Sequence, residues 1–208
     1  DKFVFDGAVL GMGGQSIGRG PTALAHEIVR QGKKDLTITG CNLAYTMDIM
    51  VGAGLVNKTE AGTGNLERYG AAFQWRNAIE SGSIEVEDYS HLAIASRFLA
   101  GSLGLPFMPC KSMLGSDLLN KRLSGSVKSV ELIDNPWNPG EPVLLMPSLN
   151  PDVSIIHVQK ADKTGNVVIE GFTTHEPYMV KASKSTIVSC EELVSTDAIR
   201  QNPNRTTI

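Results

Sequence analysis

The sequence predicts an α/β fold, an open and mainly parallel sheet with helices on both faces. Two observations carry this. Short apolar strand-like runs alternate with helix-length segments through the first half of the chain. Residues that start and stop helices stand at the joints between them. Residues 8–10 read as a strand running into glycines. Residues 21–31 read as a helix, with Pro21 in the first turn, where its missing N–H would be unpaired anyway. Leu24 and Ile28 share one face of it, and Gly32 is placed to end it. Residues 36–39 form a β-rich run after the turn residues 32–35. A helix over 66–80 stops at Ser81-Gly82, and a short strand follows at 84–86. Residues 90–103 give a further helix, with Ser90 as N-cap and Leu92, Ala95, Leu99 and Leu103 as its apolar stripe. Residues 106–109 are extended. This β-α-β-α rhythm favours parallel strands joined by helical crossovers.

Residues 111–142 change character. They are rich in Ser, Gly, Asn and Pro, with a turn cluster at 135–140. They read as a long excursion with room for a hairpin, not as a domain boundary. Strands follow at 143–146, 153–158, 167–169 and 187–189, with a turn at 162–166. Residues 1–208 therefore read as a single domain, with no internal repeat. The chain starts at Asp1 and stops after Ile208, so both ends of a longer polypeptide are expected to be missing. Hydrophobic residues make up 41% and charged residues 20%, which is globular. A net charge of -3 gives no basic excess for nucleic acid. Three scattered cysteines, Cys41, Cys110 and Cys190, argue against a disulfide framework or a zinc site, and for a reducing, cytoplasmic setting. No apolar run is long enough to span a membrane.

Several groups have residue types suited to chemistry. The segment Gly11-Met-Gly-Gly-Gln-Ser-Ile-Gly-Arg-Gly-Pro21 lies between a strand and a helix, where backbone N–H groups can meet an anion. Its spacing fits neither G-x-G-x-x-G nor a P-loop, because Arg19-Gly20 stands where Lys-Ser/Thr would be needed. Ligand contact and a tight structural turn remain equal alternatives. Glu85, Glu87 and Asp88, with His91 just beyond, could do acid–base or nucleophilic work. The competing reading is a solvated strand edge. His157 lies in an apolar strand and reads as a hydrogen-bonded core histidine, while His26 and His175 read as surface residues. No histidine pair has metal-ligand spacing, so no metal site is expected. Cys41 and Cys110 read as buried, inert thiols. The Ser112-Met-Leu-Gly-Ser-Asp117 loop follows an extended run, where α/β sheets bind ligands, though a plain turn has the same composition.

Taken in order, these segments resemble the alpha subunits of the family I coenzyme A transferases, most closely the glutaconate type. The landmarks are Asp6-Gly7, Gly13-Gly14, Gly18-x-x-Pro21 and Ala53-Gly54-Leu55-Val56. Then come residues 81–90, 104–109 and 112–117. The longest is Pro151-Asp-Val-Ser-Ile-Ile-His-Val-Gln-Lys-Ala-Asp162, with Gly165-Asn166, Gly171, Lys184, Ile187-Val188 and Glu191-Glu192 completing the series. The resemblance implies a beta-subunit partner, in a heterodimer or a dimer of heterodimers. It implies CoA transfer between an acyl-CoA and a small carboxylic acid through a glutamyl-CoA thioester, with coenzyme A as substrate and no permanent cofactor. The nucleophilic glutamate would belong to the beta subunit, since no Ser-Glu-Asn-Gly-like motif occurs here. Substrate binding would fall to Gly13, Gly14, Gln15, Ser16, Thr63, Gly64, Asn65, Ser112, Gly115 and Ser116. Glu87 and His91 are the catalytic candidates on this chain. They would matter most if the protein were a related CoA-thioester hydrolase or decarboxylase. A non-catalytic binding subunit is the remaining alternative.

Overall fold

A computed structural model describes residues 2–124 and 129–208. The first strand, β1 (Val9–Met12), runs into the glycine-rich loop. Helix α1 (Thr22–Gln31) follows and ends at Gly32, whose φ of 65° is the left-handed cap that glycine accepts without strain. Next come β2 (Leu36–Leu43), α2 (Tyr45–Gly52) and β3 (Val56–Gly64). A single 3-10 turn (Glu67–Tyr69) leads to α3 (Phe73–Ser81), β4 (Glu85–Asp88) and α4 (His91–Ser102). The Ser90 side chain caps α4 by accepting from Ala93 N–H, as expected. The excursion contains β5 (Phe107–Cys110), α5 (Asp117–Ser124), β6 (Glu131–Asp134) and β7 (Pro142–Pro147). The chain closes with β8 (Val153–Ala161), β9 (Val167–Val168), α6 (Glu176–Ala182), β10 (Ser185–Leu193) and α7 (Thr196–Arg200).

The main sheet has the order β10-β8-β1-β2-β3-β4, parallel throughout, with β9 antiparallel to β8. Successive residues of a strand point to opposite faces, so the sheet divides the core in two. Leu10, Ile38 and Ile155 pack with Ile28 of α1 and Met47 and Met50 of α2 on one face. Ile156 and Val158 pack with Ile94 and Phe98 of α4, Met179 of α6 and Leu144 of β7 on the other. Against this second face lies a small antiparallel sheet, β5-β7-β6. The hairpin expected in the excursion is β6 and β7, and residues 125–128 lie outside the described part.

Four expectations need correction. No element was expected between 40 and 65, yet α2 and β3 fill that stretch and β2 runs on to Leu43. β3 reads as polar because its Lys58 and Glu60 are paired in the fold rather than solvated. The helix expected over 66–80 is broken at Gly70, whose φ of 97° leaves helical space. The apolar stripe assigned to residues 90–103 is wrong: Leu92 and Leu103 are exposed, and α4 buries Ala93, Ile94, Arg97, Phe98 and Ala100. That helix is apolar on two faces, so periodicity alone does not choose between them. Neither α6 nor α7 was expected.

Candidate active site

Strand order reverses beside β1: β2 pairs on one side and β8 on the other. Such a switch point opens a crevice at the carboxyl ends of the strands. The glycine-rich loop lies there. Gly13 N–H donates to Ile155 O of β8 at 2.9 Å. Gln15 and Gly18 exchange backbone hydrogen bonds of 2.9 and 2.8 Å, closing a tight turn. Ser16 N–H donates to Asn42 O at 3.1 Å, and Ser16 Oγ donates to Asn65 O at 3.2 Å. Gly14 N–H donates to Glu176 Oε1 at 3.3 Å. The N–H groups of residues 13–16 and 18 are therefore satisfied within the chain, and the segment is a ridge of fixed shape with Ile17 exposed at its tip. Glycine is required at 14, where φ is 93° and an added Cβ would lie 2.9 Å from Arg19 O. At 13 a Cβ would sit 2.8 Å from the Ile156 side chain. Ser16 and Arg19 also have positive φ, 52° and 55°, which side-chain-bearing residues hold only when their surroundings impose it.

Beneath the ridge lies a cluster the sequence reading missed. His175 was expected at the surface but is fully buried, stacked on Phe98 at 5.4 Å. Its Nε2 lies 3.1 Å from Met12 O, an acceptor, so that nitrogen carries the proton. Burial pulls its pKa below the ordinary value. Glu176 is also fully buried. Its Oε1 pairs with Arg19 Nη2 at 2.8 Å, and its Oε2 accepts from Thr174 N–H at 2.8 Å. Burial opposes the charge of Glu176, but His175, the Thr174 N–H and Arg19 outweigh it and hold the carboxyl below its ordinary range. Arg19 Nη2 also donates to Phe172 O. One signal was available: an acidic residue directly before Pro177 marks the first turn of a helix.

The ends of β2 and β3 complete the corner. Asn65 Nδ2 donates to Thr63 Oγ1 at 3.2 Å, while Gly64 passes tightly against Met47 and Trp75. Glu67, exposed and at a φ of 54°, accepts from Asn42 Nδ2 at 3.4 Å. Among the described residues, Gln15 Oε1 and Asn42 Oδ1 are buried without a hydrogen-bond partner. An unmet buried acceptor costs about 1–3 kcal/mol. Gln15, Ser16, Thr63, Gly64 and Asn65 are thus brought together with Gly13 and Gly14, and Asn42 and Glu67 join them.

Among the described residues, Ser112, Gly115, Ser116, Glu87 and His91 make no hydrogen bond to the ridge. Ser112 Oγ is hydrogen-bonded to Ser90 Oγ at the start of α4. Gly115 and Ser116 belong to a turn in which Ser116 N–H and Oγ both donate to Met113 O. Among the described residues no hydrogen bond links this turn to the ridge. Glu87 is not on a solvated edge. It is buried, with Lys58 Nζ at 2.8 Å, Tyr89 OH at 2.7 Å and Arg122 Nη1 at 3.5 Å. Only Glu85 of that pair is exposed. His91 is exposed at the start of α4, its ring against Gly62. His157 is hydrogen-bonded, as expected, through Nδ1 to Ser189 Oγ at 2.9 Å, but is only half-buried. His26 is exposed, as expected. Cys41 is buried, and burial together with the Glu176 charge pushes its thiol up to about 12, which makes it inert at neutral pH. Among the described residues no cluster of His, Cys, Asp and Glu could hold a metal. No described helix is long and apolar enough to cross a membrane.

A family model described as coenzyme A transferase matches residues 1–207. The chain belongs to the coenzyme A transferase family. It is 36% identical over 93% of its length to one subunit of the 3-oxoadipate CoA-transferase of Pseudomonas knackmussii, covering 67% of that polypeptide. It is 35% identical over its whole length to one subunit of the glutaconate CoA-transferase of Acidaminococcus fermentans, covering 68% of that polypeptide. The crystal structure of that glutaconate coenzyme A-transferase superposes with a TM-score of 0.91, over 100% of this chain and 69% of the other. An uncharacterized protein of Archaeoglobus fulgidus is 38% identical over the full chain, which spans only 45% of its length. The chain thus spans about half to two thirds of these curated relatives.

Proposed function

We propose that this chain is the alpha-type subunit of a heteromeric CoA-transferase of the cytoplasm. With its beta partner it moves CoA between an acyl-CoA thioester and a small carboxylic acid. The observation that carries this reading is the ridge at the strand switch point, a preformed wall with no nucleophile of its own. Glu176, the carboxylate that touches the ridge, is buried and paired with Arg19. The attacking carboxylate is assigned to the partner because this chain lacks the Ser-Glu-Asn-Gly-like motif that the family resemblance associates with the nucleophile. Ile17, Tyr45, Tyr69, Phe73 and Phe172, all exposed around the ridge and the ends of β2 and β3, offer an apolar rim for the partner to cover.

The chemistry is nucleophilic catalysis. A glutamate carboxylate of the partner attacks the thioester carbonyl and expels CoA thiolate, leaving an acyl–glutamyl anhydride. The thiolate then attacks the glutamyl carbonyl and releases the acyl carboxylate. An acceptor carboxylate reverses the sequence, so one hard exchange is divided into easier steps. Mass spectrometry of the reconstituted complex after acyl-CoA and borohydride tests it. A glutamyl side chain reduced to its alcohol, with CoA released, is expected on the partner, and the same change on this chain would overturn the assignment. This chain alone is expected to show no transfer from acyl-CoA to acetate.

A second reading has one observation in its favour. Glu67 is an exposed carboxylate at the mouth of the corner, held beside Asn42. It is better placed than Glu87 to activate water if the protein hydrolyses a CoA thioester. Thioester hydrolysis abolished by Glu67→Gln, with no adduct on either subunit, would favour that reading.

A further inference from the structure

We infer that Glu176 is a positioning residue, and that the Glu176–Arg19 pair is a clamp holding both ends of the ridge in its working shape. The inference rests on the proposed transferase reading for its kinetic arm only. Glu176 Oε1 holds Gly14 through its N–H at 3.3 Å and Arg19 through its guanidinium at 2.8 Å. Gly14 and Arg19 are the two ends of the turn, and the Gly14 α-carbon faces Arg19 O. One carboxylate oxygen therefore pins the entry and the exit of a six-residue turn whose Ser16 and Arg19 both sit at positive φ. The other oxygen is fixed by Thr174 N–H at 2.8 Å, which anchors the clamp at the start of α6. His175 secures the same point to the end of β1 through Met12 O. The tip, Gln15 to Ile17, is held from below by this clamp and from the side by Asn42 and Asn65.

Glu176 is fully buried and cannot touch substrate, so it acts only through the ridge. A wall displaced by about 1 Å from its productive position can cost about 100-fold in rate without much change in ground-state binding. The effect should therefore appear in kcat and in the mobility of the ridge, not in KM.

Two variants test it, Glu176→Gln and Arg19→Met. The second keeps the test open if the first does not fold, because Arg19 lies at the edge of the cluster. In the reconstituted complex, hydrogen exchange followed by mass spectrometry should show the peptide over residues 13–18 exchanging at least about tenfold faster, with α1 and β8 unchanged. Unchanged protection of that peptide would overturn the clamp. In the complex with the beta partner, each variant should lose about 100-fold in kcat with KM within about threefold, and Arg19→Lys should recover most of the loss. The double variant should be no worse than the worse single one, whereas losses that multiply would mean the two residues act independently. A loss confined to KM would also overturn the inference. If the wild-type complex transfers no CoA, the transferase reading falls, and hydrogen exchange still decides the clamp.

Discussion

Glu176 and Glu87 are both buried, both ionised beside cations, and both within reach of a hydroxyl. They differ in what they hold. Glu87 binds Lys58 of β3, Tyr89 just after β4 and Arg122 of α5. Its partners join elements that the core already keeps together. Glu176 binds backbone and a side chain of a loop with unfavourable dihedral angles. A buried ion pair between rigid elements contributes to the stability balance, and replacing it with apolar groups can be neutral. A buried carboxylate on a strained loop sets the shape of a surface. Burial and a depressed pKa alone do not distinguish the two. The identity of the donor does.

The comparison can be broken most severely at Gly14. Gly14→Val forces a side chain onto Arg19 O and removes the permissive φ, so the reconstituted complex should lose at least about 100-fold in kcat. Chemical denaturation should show a loss of about 2 kcal/mol besides. Glu87→Gln should do the reverse. It strips the charge from a network built around Lys58 and should cost about 2–3 kcal/mol of stability. The kcat of the folded protein should stay within about threefold. A loss of several orders of magnitude with the fold intact would instead place chemistry at Glu87.

A pH series sharpens the same contrast. Burial would raise the Glu87 pKa, but Lys58, Tyr89 and Arg122 together hold it below its ordinary 4.5. A group depressed on folding contributes stability that is present above the unfolded pKa and lost as pH falls through the folded one. Wild-type stability should therefore decline as pH drops below about 4.5, and Glu87→Gln should show a shallower decline in urea titrations. The smallest effect is expected at His91, exposed at a helix start. His91→Ala should change kcat by no more than about threefold and stability by less than about 0.5 kcal/mol.

How much of this was legible depended on how local its cause was. The Gly32 cap, the Ser90 cap and the strand entering the glycines are set by neighbours within four residues, and all were read correctly. The parallel sheet followed from rhythm. β3 was not legible, because what makes Lys58 and Glu60 tolerable in a strand are Glu87 and Arg97, distant in sequence. The same holds for His175, which looks polar and surface-bound until Met12 and Phe98 surround it. The corner of residues 13–16 and 63–65 came from family resemblance, and the structure brings it together. The loop at 112–117 was a candidate both by its position after an extended run and by resemblance, and Ser112 Oγ is hydrogen-bonded to Ser90 Oγ at the start of α4.

Arg97 has a further consequence. Its guanidinium donates to Pro147 O at the end of β7, pairs with Glu60 of β3 at 2.8 Å, and lies over the Tyr89 ring at 4.7 Å. Its own carbonyl accepts from Leu149 N–H. The small sheet is riveted to the large one by a side chain that grips both and is itself buried. Lifting the small sheet away would take the Pro147 carbonyl from Arg97 Nε and the Leu149 N–H from the Arg97 carbonyl, leaving a buried donor and a buried acceptor unpaired. Partial opening along that seam is therefore costly, and the two sheets should melt as one cooperative unit rather than as a stable body with a detachable flap.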